Sequence, residues 1–452
     1  MSTWTHPLDA QGPEPAITAV ARFKIVHRMN ARFLPIAEVF SHRNYALFMV
    51  GLGPHAISSW MFRVAVGWLA WELTHSPAWL GIIAAADLIP VLILSPLAGV
   101  VTDRIVPVRL LRLTQWAQFV QCGAIIAALQ AEVMAIELLL VLTLALGIVQ
   151  AFGTAARHAT VPHTVPRHLV ATAVSLDSAL FQTSRFIGPA IAALVIPLWG
   201  VIGALIAHLA GTFVFSVMMH FMHVPPPERR GVRGNFYSDI GDGIAYVRAH
   251  RGIGPLLLML LAASICLRPL QEMLPGFAGA VFNSGAEGLA WLSSAMGAGA
   301  MISAVSVALQ SRLSGLTNIA FAGLFGLVVA TLGIVATDIL WVGVIFCALS
   351  GFTMNLISVS VQALVQSAVD DGMRARVMSL YTLIFRGTPA LGALVFGVLA
   401  EFLGLRWSYA VAAMLCLTAA IWLSPRKASI SEALESASPV NASRAADTSV
   451  RK

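Results

Sequence analysis

The chain of 452 residues has a formal net charge of +7, yet only 11% of its residues are charged and 58% are hydrophobic. A soluble domain of this length carries about 25% charged residues, so the composition excludes an ordinary water-soluble protein and favours a bilayer as the solvent. In a membrane protein the basic excess is expected in the loops on the cytoplasmic side, and it does not predict nucleic-acid binding.

Twelve apolar stretches are long enough to cross the hydrocarbon, which takes about 20 helical residues. The first six predicted spans are residues 44–72, 78–101, 109–130, 134–156, 169–197 and 199–222. The second six are residues 253–283, 286–310, 316–336, 338–366, 376–401 and 405–424. The pattern predicts an all-α membrane protein with twelve transmembrane helices in two pseudo-symmetric six-helix bundles.

The polar stretches divide the chain into five parts. They are a cytoplasmic N-terminal segment at 1–43, a bundle at 44–222, a cytoplasmic linker at 223–252, a bundle at 253–424 and a tail at 425–452. The tail is rich in Ser and Ala, and we expect it to be disordered in the cytoplasm. Residues 34–43 are expected to form a short helix at the membrane interface, and no cleaved signal peptide is expected.

The basic residues predict the orientation. Of the 28 Lys and Arg residues, four lie inside spans, Arg406 lies in an outer loop, and the other 23 lie on the side of the N-terminus. Because basic loops stay in the cytoplasm, we expect a multi-pass protein of the bacterial cytoplasmic (inner) membrane with both termini in the cytoplasm.

The turn between spans two and three reads SPLAGVVTDRIVPVRLLR at 95–112. Its residues Gly99, Asp103, Arg104 and Arg109 resemble the Gly-x-x-x-Asp-Arg signature of the major facilitator superfamily. The resemblance implies a cytoplasmic gate, in which the aspartate contacts the end of another helix. Arg374 and Arg376 lie in the corresponding turn of the second half and belong to the same predicted gate. The alternative is an ordinary charged turn that only obeys the topology.

Four further stretches, at 68–81, 157–193, 268–301 and 362–401, resemble the bacterial exporters that include the enterobactin exporter and the transmembrane secretion effectors. An internal repeat agrees with such a fold. An offset of 204 residues pairs Ser175 with Ser379 and Leu176 with Leu380, as parallel six-helix halves would. The resemblance implies alternating access around a central cavity.

Seven Asp, Glu and Arg side chains lie at membrane depth, away from the ends of the predicted spans, where each costs at least ~2.5 kcal/mol. They are Arg63, Asp87, Asp177, Arg185, Arg268, Glu272 and Arg386. The acids are candidate proton or cation sites, and the arginines are candidates for the substrate cavity. Asp87 is the preferred proton site, because it lies near mid-membrane within the apolar sequence AAADLIP. Two alternatives are structural: Arg268 and Glu272 are four residues apart and suited to a fixed pair, and Asp177 is suited to pairing with an arginine.

Small residues and prolines predict close helix contacts. Gly188 and Pro189 resemble the Gly-Pro element of superfamily antiporters, and Pro389 and Gly392 belong to the related sequence GTPALGALVFG at 387–397. His208 is interpreted as a neutral histidine packed against a neighbouring helix.

The chain shows no catalytic arrangement and no phosphate-binding Gly-Lys-Ser/Thr loop, so we expect neither an enzyme nor a bound cofactor or metal. We predict a secondary active transporter, a proton-coupled exporter of a small amphiphilic molecule such as a siderophore, drug or metabolite. The expected partners are that substrate, protons and the lipid bilayer, with no nucleic acid, and the expected state is a monomer. The alternatives are an importer of the same fold and a non-transporting membrane sensor or scaffold.

Overall fold

The computed structural model describes residues 36–223, 236–309, 315–370 and 372–435. The regular elements of these residues are all helices. The first bundle contains α1 (Arg43–Thr74), α2 (Pro77–Arg104), α3 (Pro107–Gln130), α4 (Ile136–Thr160), α5 (170–199) and α6 (201–220). The helix α7 (Phe236–Ala249) follows, and then come α8 (Ile253–Val281), α9 (Gly285–Leu309), α10 (Leu316–Ala336), α11 (Leu340–Ala368), α12 (374–403), α13 (405–423) and α14 (Lys427–Glu435).

Two turns between helices depend on glycine. Gly200 joins α5 to α6 with φ 66°, and Gly404 joins α12 to α13 with φ 79°. A positive φ is open to glycine without the penalty that other residues incur, so each long helical stretch reverses at its glycine. Both turns lie where the sequence predicts the end of one span and the start of the next.

Eight stretches of the described chain are long and apolar enough to cross a membrane. Two of them, 167–220 and 376–435, contain the breaks at Gly200 and Gly404. The helices α1 and α3 are not among the eight. Since α3 buries polar side chains such as Gln115, Gln118 and Gln121 against its neighbours, its composition is less apolar than that of a lipid-facing helix. The count of twelve spans therefore stays a prediction for α1 and α3.

The two bundles meet along α2 with α12 and along α5 with α9. We call the ends at which α1 and α8 begin the inner side, and the opposite ends the outer side. Glycines bring the bundles together: a Cβ on Gly297 of α9 would lie 2.7 Å from the carbonyl oxygen of Arg185, and one on Gly397 would lie 2.8 Å from that of Pro77. At the outer end, Ser76 donates a hydrogen bond to the Glu401 carboxylate at 2.7 Å.

The inner half between the bundles is open. On α12 the side chains of Ser379, Thr382 and Arg386 follow one helix face at spacings of three and four, and all three are exposed. On α5, Ser175 and Ser178 are exposed in the same way. Polar side chains on a hydrocarbon-facing surface would be costly, so these two faces line a water-accessible cavity that opens to the inner side.

The tail departs from the sequence-based expectation. It was expected to be disordered from residue 425, but Lys427–Glu435 form helix α14. Ile430 and Leu434, four residues apart, are 1% and 2% exposed, because they pack as one apolar stripe on the inner ends of the second bundle. The expectation for residues 436–452 lies outside the described chain.

The other two polar segments are partly helical. The expected interfacial helix at 34–43 is helical at 36–41, while 34 and 35 lie outside the described residues. The described part of the linker forms α7, which packs on the start of α12. Tyr246 of α7 donates a hydrogen bond to Asp370 at 3.0 Å, and Asp242 pairs with Arg376 at 3.2 Å.

Candidate functional site

A cluster of charged side chains lies at the centre of the molecule, at the closed end of the inner cavity. Its centre is Arg63 of α1, whose two terminal nitrogens bind different carboxylates. Nη1 lies 3.2 Å from Asp87 Oδ2 of α2, and Nη2 lies 3.2 Å from Glu272 Oε1 of α8. Arg63 and Asp87 belong to the first bundle and Glu272 to the second, so this guanidinium joins the two bundles by ionic contacts.

Asp87 has a second polar partner. Its Oδ1 accepts a hydrogen bond from Gln150 Nε2 of α4 at 3.1 Å. The sequence places only apolar residues on either side of Asp87, but its spatial neighbours are a guanidinium and an amide from other helices. The apolar sequence around Asp87 therefore does not describe its surroundings in the fold, because chain neighbours on a helix point to other faces.

Glu272 does not form the pair that its spacing from Arg268 suggests. In the described residues its ion pair is with Arg63. The reason is local: α8 is not a regular helix here, since residues 267–269 form a turn that contains Pro269. A spacing of four brings side chains together only on a continuous helix, and the turn separates Arg268 from Glu272.

Arg185 of α5 contacts neutral groups. Its Nη2 donates a hydrogen bond to the Gln271 side-chain carbonyl at 3.1 Å. Its guanidinium also lies 5.8 Å from the ring centre of Trp60, and Arg63 lies 5.6 Å from the same ring. The indole therefore lies within cation–π range of both arginines.

Arg268 is the least satisfied arginine of the cluster. Its guanidinium stacks 4.1 Å from the centre of the Phe385 ring, and that ring stacks on Tyr381 at 5.9 Å. Its buried Nη1 has no hydrogen-bond partner. Arg185, Arg386 and Arg63 act on it electrostatically as like charges and Glu272 as an opposite charge, so positive charges outnumber negative ones around it.

The other two embedded charges lie nearer the inner side. Asp177 of α5 is buried and pairs with Arg157 of α4 at 3.8 Å, so it takes the structural role that the sequence left open, within the first bundle. Arg386 lies in a π-turn at Leu383–Gly387, a feature that often marks functional positions in helices. Its electrostatic neighbours are Arg157 and Tyr381, and neither is a carboxylate.

The predicted gate residues lie at the inner ends of the helices. Gly99 and Arg104 end α2, Arg109 is exposed in the first turns of α3, and a Cβ on Gly99 would meet nothing within 4 Å. The Asp103 side chain lies outside the described part. In the second bundle Arg374 is exposed at the start of α12, while Arg376 pairs with Asp242 of α7.

The small residues make the predicted close contacts within each bundle. A Cβ on Gly188 would lie 2.6 Å from the Ile57 carbonyl oxygen, and one on Gly392 would lie 2.6 Å from Cγ of Pro269. The adjacent prolines, Pro189 and Pro389, are buried beside these glycines. His208 packs on α1, with Nδ1 3.3 Å from the Ser58 hydroxyl and its ring 4.6 Å from Phe62.

Four side chains of this region escape the sequence-based reading, namely Trp60, Gln150, Arg157 and Gln271. Arg157 falls next to a turn and resembles a topology signal, while the two glutamines are uncharged and do not stand out. Trp60 resembles a residue of an interfacial aromatic belt. All four are polar or amphipathic side chains on helices that line the cavity. The sequence does not show which helices these are, so the shared feature could be recognised only in the folded structure.

A small cavity of about 50 Å³ lies beside the charged cluster. It is lined by Trp60, Arg63, Arg185, Gln271, Glu272 and apolar residues of α8 and α9. The cavity holds a few water-sized groups. The charged cluster is therefore accessible, with room for a small polar group of a ligand.

Comparisons with known proteins agree on a membrane transporter. Residues 40–449 match the family described as transmembrane secretion effector. The staphyloferrin A transporter of Staphylococcus aureus is 25% identical over 383 residues, covering 82% of this chain and 94% of that protein. The multidrug efflux pump Tap of Mycolicibacterium fortuitum is 24% identical and covers 76% and 86%. Macrolide efflux protein A of Streptococcus pyogenes is 22% identical and covers 60% and 68%.

Solved structures show the same fold. A bacterial homologue of the human lysosomal transporter Spinster, in an inward-facing and occupied conformation, aligns with TM-score 0.68 and 13% identity over 88% of this chain and 99% of that one. A bacterial homologue of the iron transporter ferroportin, in an inward-facing state, aligns with TM-score 0.63 and 15% identity over 86% and 98%. At these identities the likeness concerns the fold.

Proposed function

Because the chain belongs to the transmembrane secretion effector family of the major facilitator superfamily, we propose that it exports a small amphiphilic molecule in exchange for protons. The chain is a multi-pass membrane transporter and not an enzyme. Two of the relatives are an efflux protein and an efflux pump by name, which supports export over import. The proposed location is the cytoplasmic membrane, with the inner side facing the cytoplasm, because the topology predicted from the sequence assigns 23 of the 28 basic residues to that side.

The observation that carries the proposal is the double contact of Arg63. Alternating access moves the bundles largely as rigid bodies around the central site. Contacts within a bundle then persist and contacts between bundles break. Opening the outer side separates α1 from α8, so Arg63 keeps Asp87 but loses Glu272.

The separation leaves the Glu272 carboxylate without its partner inside the membrane. A buried charge without a partner costs several kcal/mol, and a carboxylate avoids this cost by taking up a proton. In the outward-open state the proton comes from outside. When the outer side closes again, Arg63 returns to Glu272 and favours release of the proton to the cytoplasm. One proton thus enters in each cycle, and this influx drives export.

The mechanism gives the two acids different tasks. Glu272 changes partner during the cycle and is the proposed proton carrier. Asp87 stays with Arg63 and Gln150 of its own bundle, so it holds Arg63 in position. This assignment moves the proton site from Asp87, the residue that the sequence favours, to Glu272.

The experiment is dye accumulation in a bacterium that lacks its main efflux pumps, with a panel of cationic and anionic fluorescent dyes. We expect the wild-type protein to lower accumulation of at least one dye, and an uncoupler to abolish this effect. Glu272→Gln is expected to export no better in the presence of the proton gradient than in its absence. Glu287→Gln, an exposed acid on α9, is the matched control and should behave like the wild type.

Three outcomes contradict the proposal. Export by Glu272→Gln that remains sensitive to the uncoupler removes Glu272 from proton coupling. Higher accumulation in the wild type than in cells without the protein indicates an importer. If the panel shows no change and the medium of a deletion strain has the same small-molecule composition as that of its parent, the protein does not transport and is a sensor or scaffold.

A further inference from the structure

The central cluster carries more positive than negative charge. Three guanidinium groups, of Arg63, Arg185 and Arg268, lie near two carboxylates, of Asp87 and Glu272. Both ion pairs of these carboxylates are with Arg63. The five groups therefore have a net charge of +1, since Arg185 and Arg268 form no ion pair in the described part of the chain.

Arg185 is held by groups that an anion can replace. Its hydrogen bond to the Gln271 amide joins a charged donor to a neutral acceptor. A carboxylate accepts the same hydrogen bonds as the Gln271 amide oxygen and adds the Coulomb attraction between opposite charges, which a neutral amide lacks. A ligand carboxylate at this place competes with Gln271 and gains the stronger bond.

Arg268 provides a second donor, four residues before Glu272 on α8. Its Nη1 is buried and lacks a hydrogen-bond partner, which is costly for a charged group unless a ligand satisfies it. Stacking on Phe385 fixes the plane of the guanidinium, so its donors keep one orientation. This orientation suits the planar, forked recognition of a carboxylate.

We infer that the exported molecule carries a carboxylate, which binds between Arg185 and Arg268 at the closed end of the cavity. The inference rests on the proposed function and names its class of substrate. A single carboxylate neutralises the one excess positive charge of the cluster. The cavity of about 50 Å³, which Arg185 lines and Arg268 does not, has room for such a group and not for a whole organic molecule. The rest of the molecule extends towards the inner opening along the partly exposed ring of Phe385, which favours an apolar or aromatic body.

The test is binding to the purified full-length protein in detergent, where no proton gradient exists. The probes are benzoate, salicylate and citrate, each compared with its neutral amide by isothermal titration calorimetry. We expect at least one carboxylate to bind tenfold or more tightly than its amide. Arg185→Gln and Arg268→Gln should each weaken that carboxylate at least tenfold and leave the amide unchanged. Arg167→Gln, on an exposed arginine at the inner side, should bind like the wild type.

Arg185→Lys and Arg268→Lys cover the case in which a glutamine variant fails to fold. Lysine keeps the positive charge but lacks the planar, forked donors of a guanidinium. We therefore expect the lysine variants to bind the carboxylate with an affinity between those of the wild type and the glutamine variants. Size-exclusion profiles identify the folded variants. Equal affinity for acid and amide, failure of all three carboxylates to bind, or unchanged binding in the folded arginine variants would overturn the inference.

Different results would contradict the proposed function and the carboxylate site. Glu272→Gln raises the positive excess of the cluster, so it should bind the carboxylate at least as tightly as the wild type. Carboxylate binding in a protein without uncoupler-sensitive export would count against proton-coupled export and would leave the carboxylate site in place.

Discussion

Arg63 and Glu272 are 209 residues apart in the chain, and their side chains meet at 3.2 Å across the boundary between the two bundles. The contact ties α1 to α8 in the inward-open state. Since Arg63 also binds Asp87, the loss of Arg63 and the loss of Glu272 have unequal consequences.

Arg63→Gln is expected to destabilise the protein more than Glu272→Gln. The first change leaves two carboxylates without their cation, whereas the second leaves Arg63 paired with Asp87. Removing one partner of a buried pair costs about 3–5 kcal/mol, and because the side chains of Arg63 and Glu272 are 33% and 24% exposed, we expect a smaller cost for Glu272→Gln, about 1–3 kcal/mol. Unfolding temperatures in detergent measure which variant is less stable, with Arg167→Gln, on an exposed arginine at the inner side, as the control. An equal or reversed order would show that Arg63 does not carry both contacts.

Arg157→Gln is expected to be harmful alone and to be rescued by Asp177→Asn. The buried Asp177 carboxylate has Arg157 as its ion-pair partner at 3.8 Å, and its Oδ1 has no hydrogen bond. Without Arg157 the buried carboxylate has no ion-pair partner, whereas an asparagine in its place needs none. The double variant should therefore express and unfold closer to the wild type than Arg157→Gln does. If the decrease in unfolding temperature of the double variant equals the sum of the decreases of the two single variants, Arg157 does not stabilise the Asp177 carboxylate.

Gly297→Val is expected to shift the protein away from the inward-open state. Its side chain would approach the backbone of Arg185 and Phe186 on α5, where a Cβ already lies 2.7 Å and 2.8 Å from their atoms. Because this contact closes the bundles towards the outer side, added bulk favours their separation. Spin labels at Glu137→Cys and Asp338→Cys, on the outer ends of different bundles, should report a longer distance. Gly53→Ala, where a Cβ meets nothing within 4 Å, should leave the distance unchanged.

Glu435→Gln is expected to loosen α14 in a pH-dependent way. The Glu435 carboxylate accepts hydrogen bonds from the backbone N–H groups of Gly315 and Thr317, at 2.8 Å and 3.0 Å. Burial raises the pKa of Glu435, but these hydrogen bonds outweigh burial and hold the pKa below its usual value of 4.5. A lowered pKa stabilises the folded state above the usual value, and this contribution disappears as the pH falls through the folded-state pKa.

The difference in unfolding temperature between the wild type and Glu435→Gln should therefore be largest near neutral pH and shrink below about pH 4.5. A capping carboxylate at a helix N-terminus contributes about 1 kcal/mol, which sets the size of the effect. For Glu137→Gln, at an exposed acid on α4, the difference in unfolding temperature from the wild type should not change with pH in this way. A difference that stays constant down to acidic pH would indicate that Glu435 acts through packing and not through its charge.

The helices of the two bundles were predicted from long apolar stretches, and eight stretches of the described chain meet that measure, although α1 and α3 are not among them. The breaks at Gly200 and Gly404, with φ 66° and 79°, fall where the predicted spans end. The ionic partners were not predictable, since Arg63, Asp87 and Glu272 come from three helices and both bundles. Spacing suggested Arg268 for Glu272, and the turn at 267–269 removes the regular helix that this rule assumes.

The tail was mispredicted for a related reason. A Ser- and Ala-rich composition indicates disorder when no surface is available to bury a few apolar side chains. Here the inner ends of α10 and α11 provide that surface to Ile430 and Leu434, and Glu435 caps α10. The composition of a segment gives no information about the surface on which the segment packs. A short helix that depends on tertiary contacts therefore cannot be predicted from composition.

The attachment of α7 to the second bundle, through Tyr246–Asp370 and Asp242–Arg376, determines where this chain tolerates being divided. A polypeptide cut between 223 and 236 leaves α7 on the fragment that it packs against, so both co-expressed fragments retain their own contacts. A cut after Ala249 would place α7 on the first fragment and tether it to the wrong partner. Two fragments divided between 223 and 236 are therefore expected to reassemble into a functional protein. Two fragments divided after Ala249 should reassemble poorly, because α7 no longer packs on the inner end of α12.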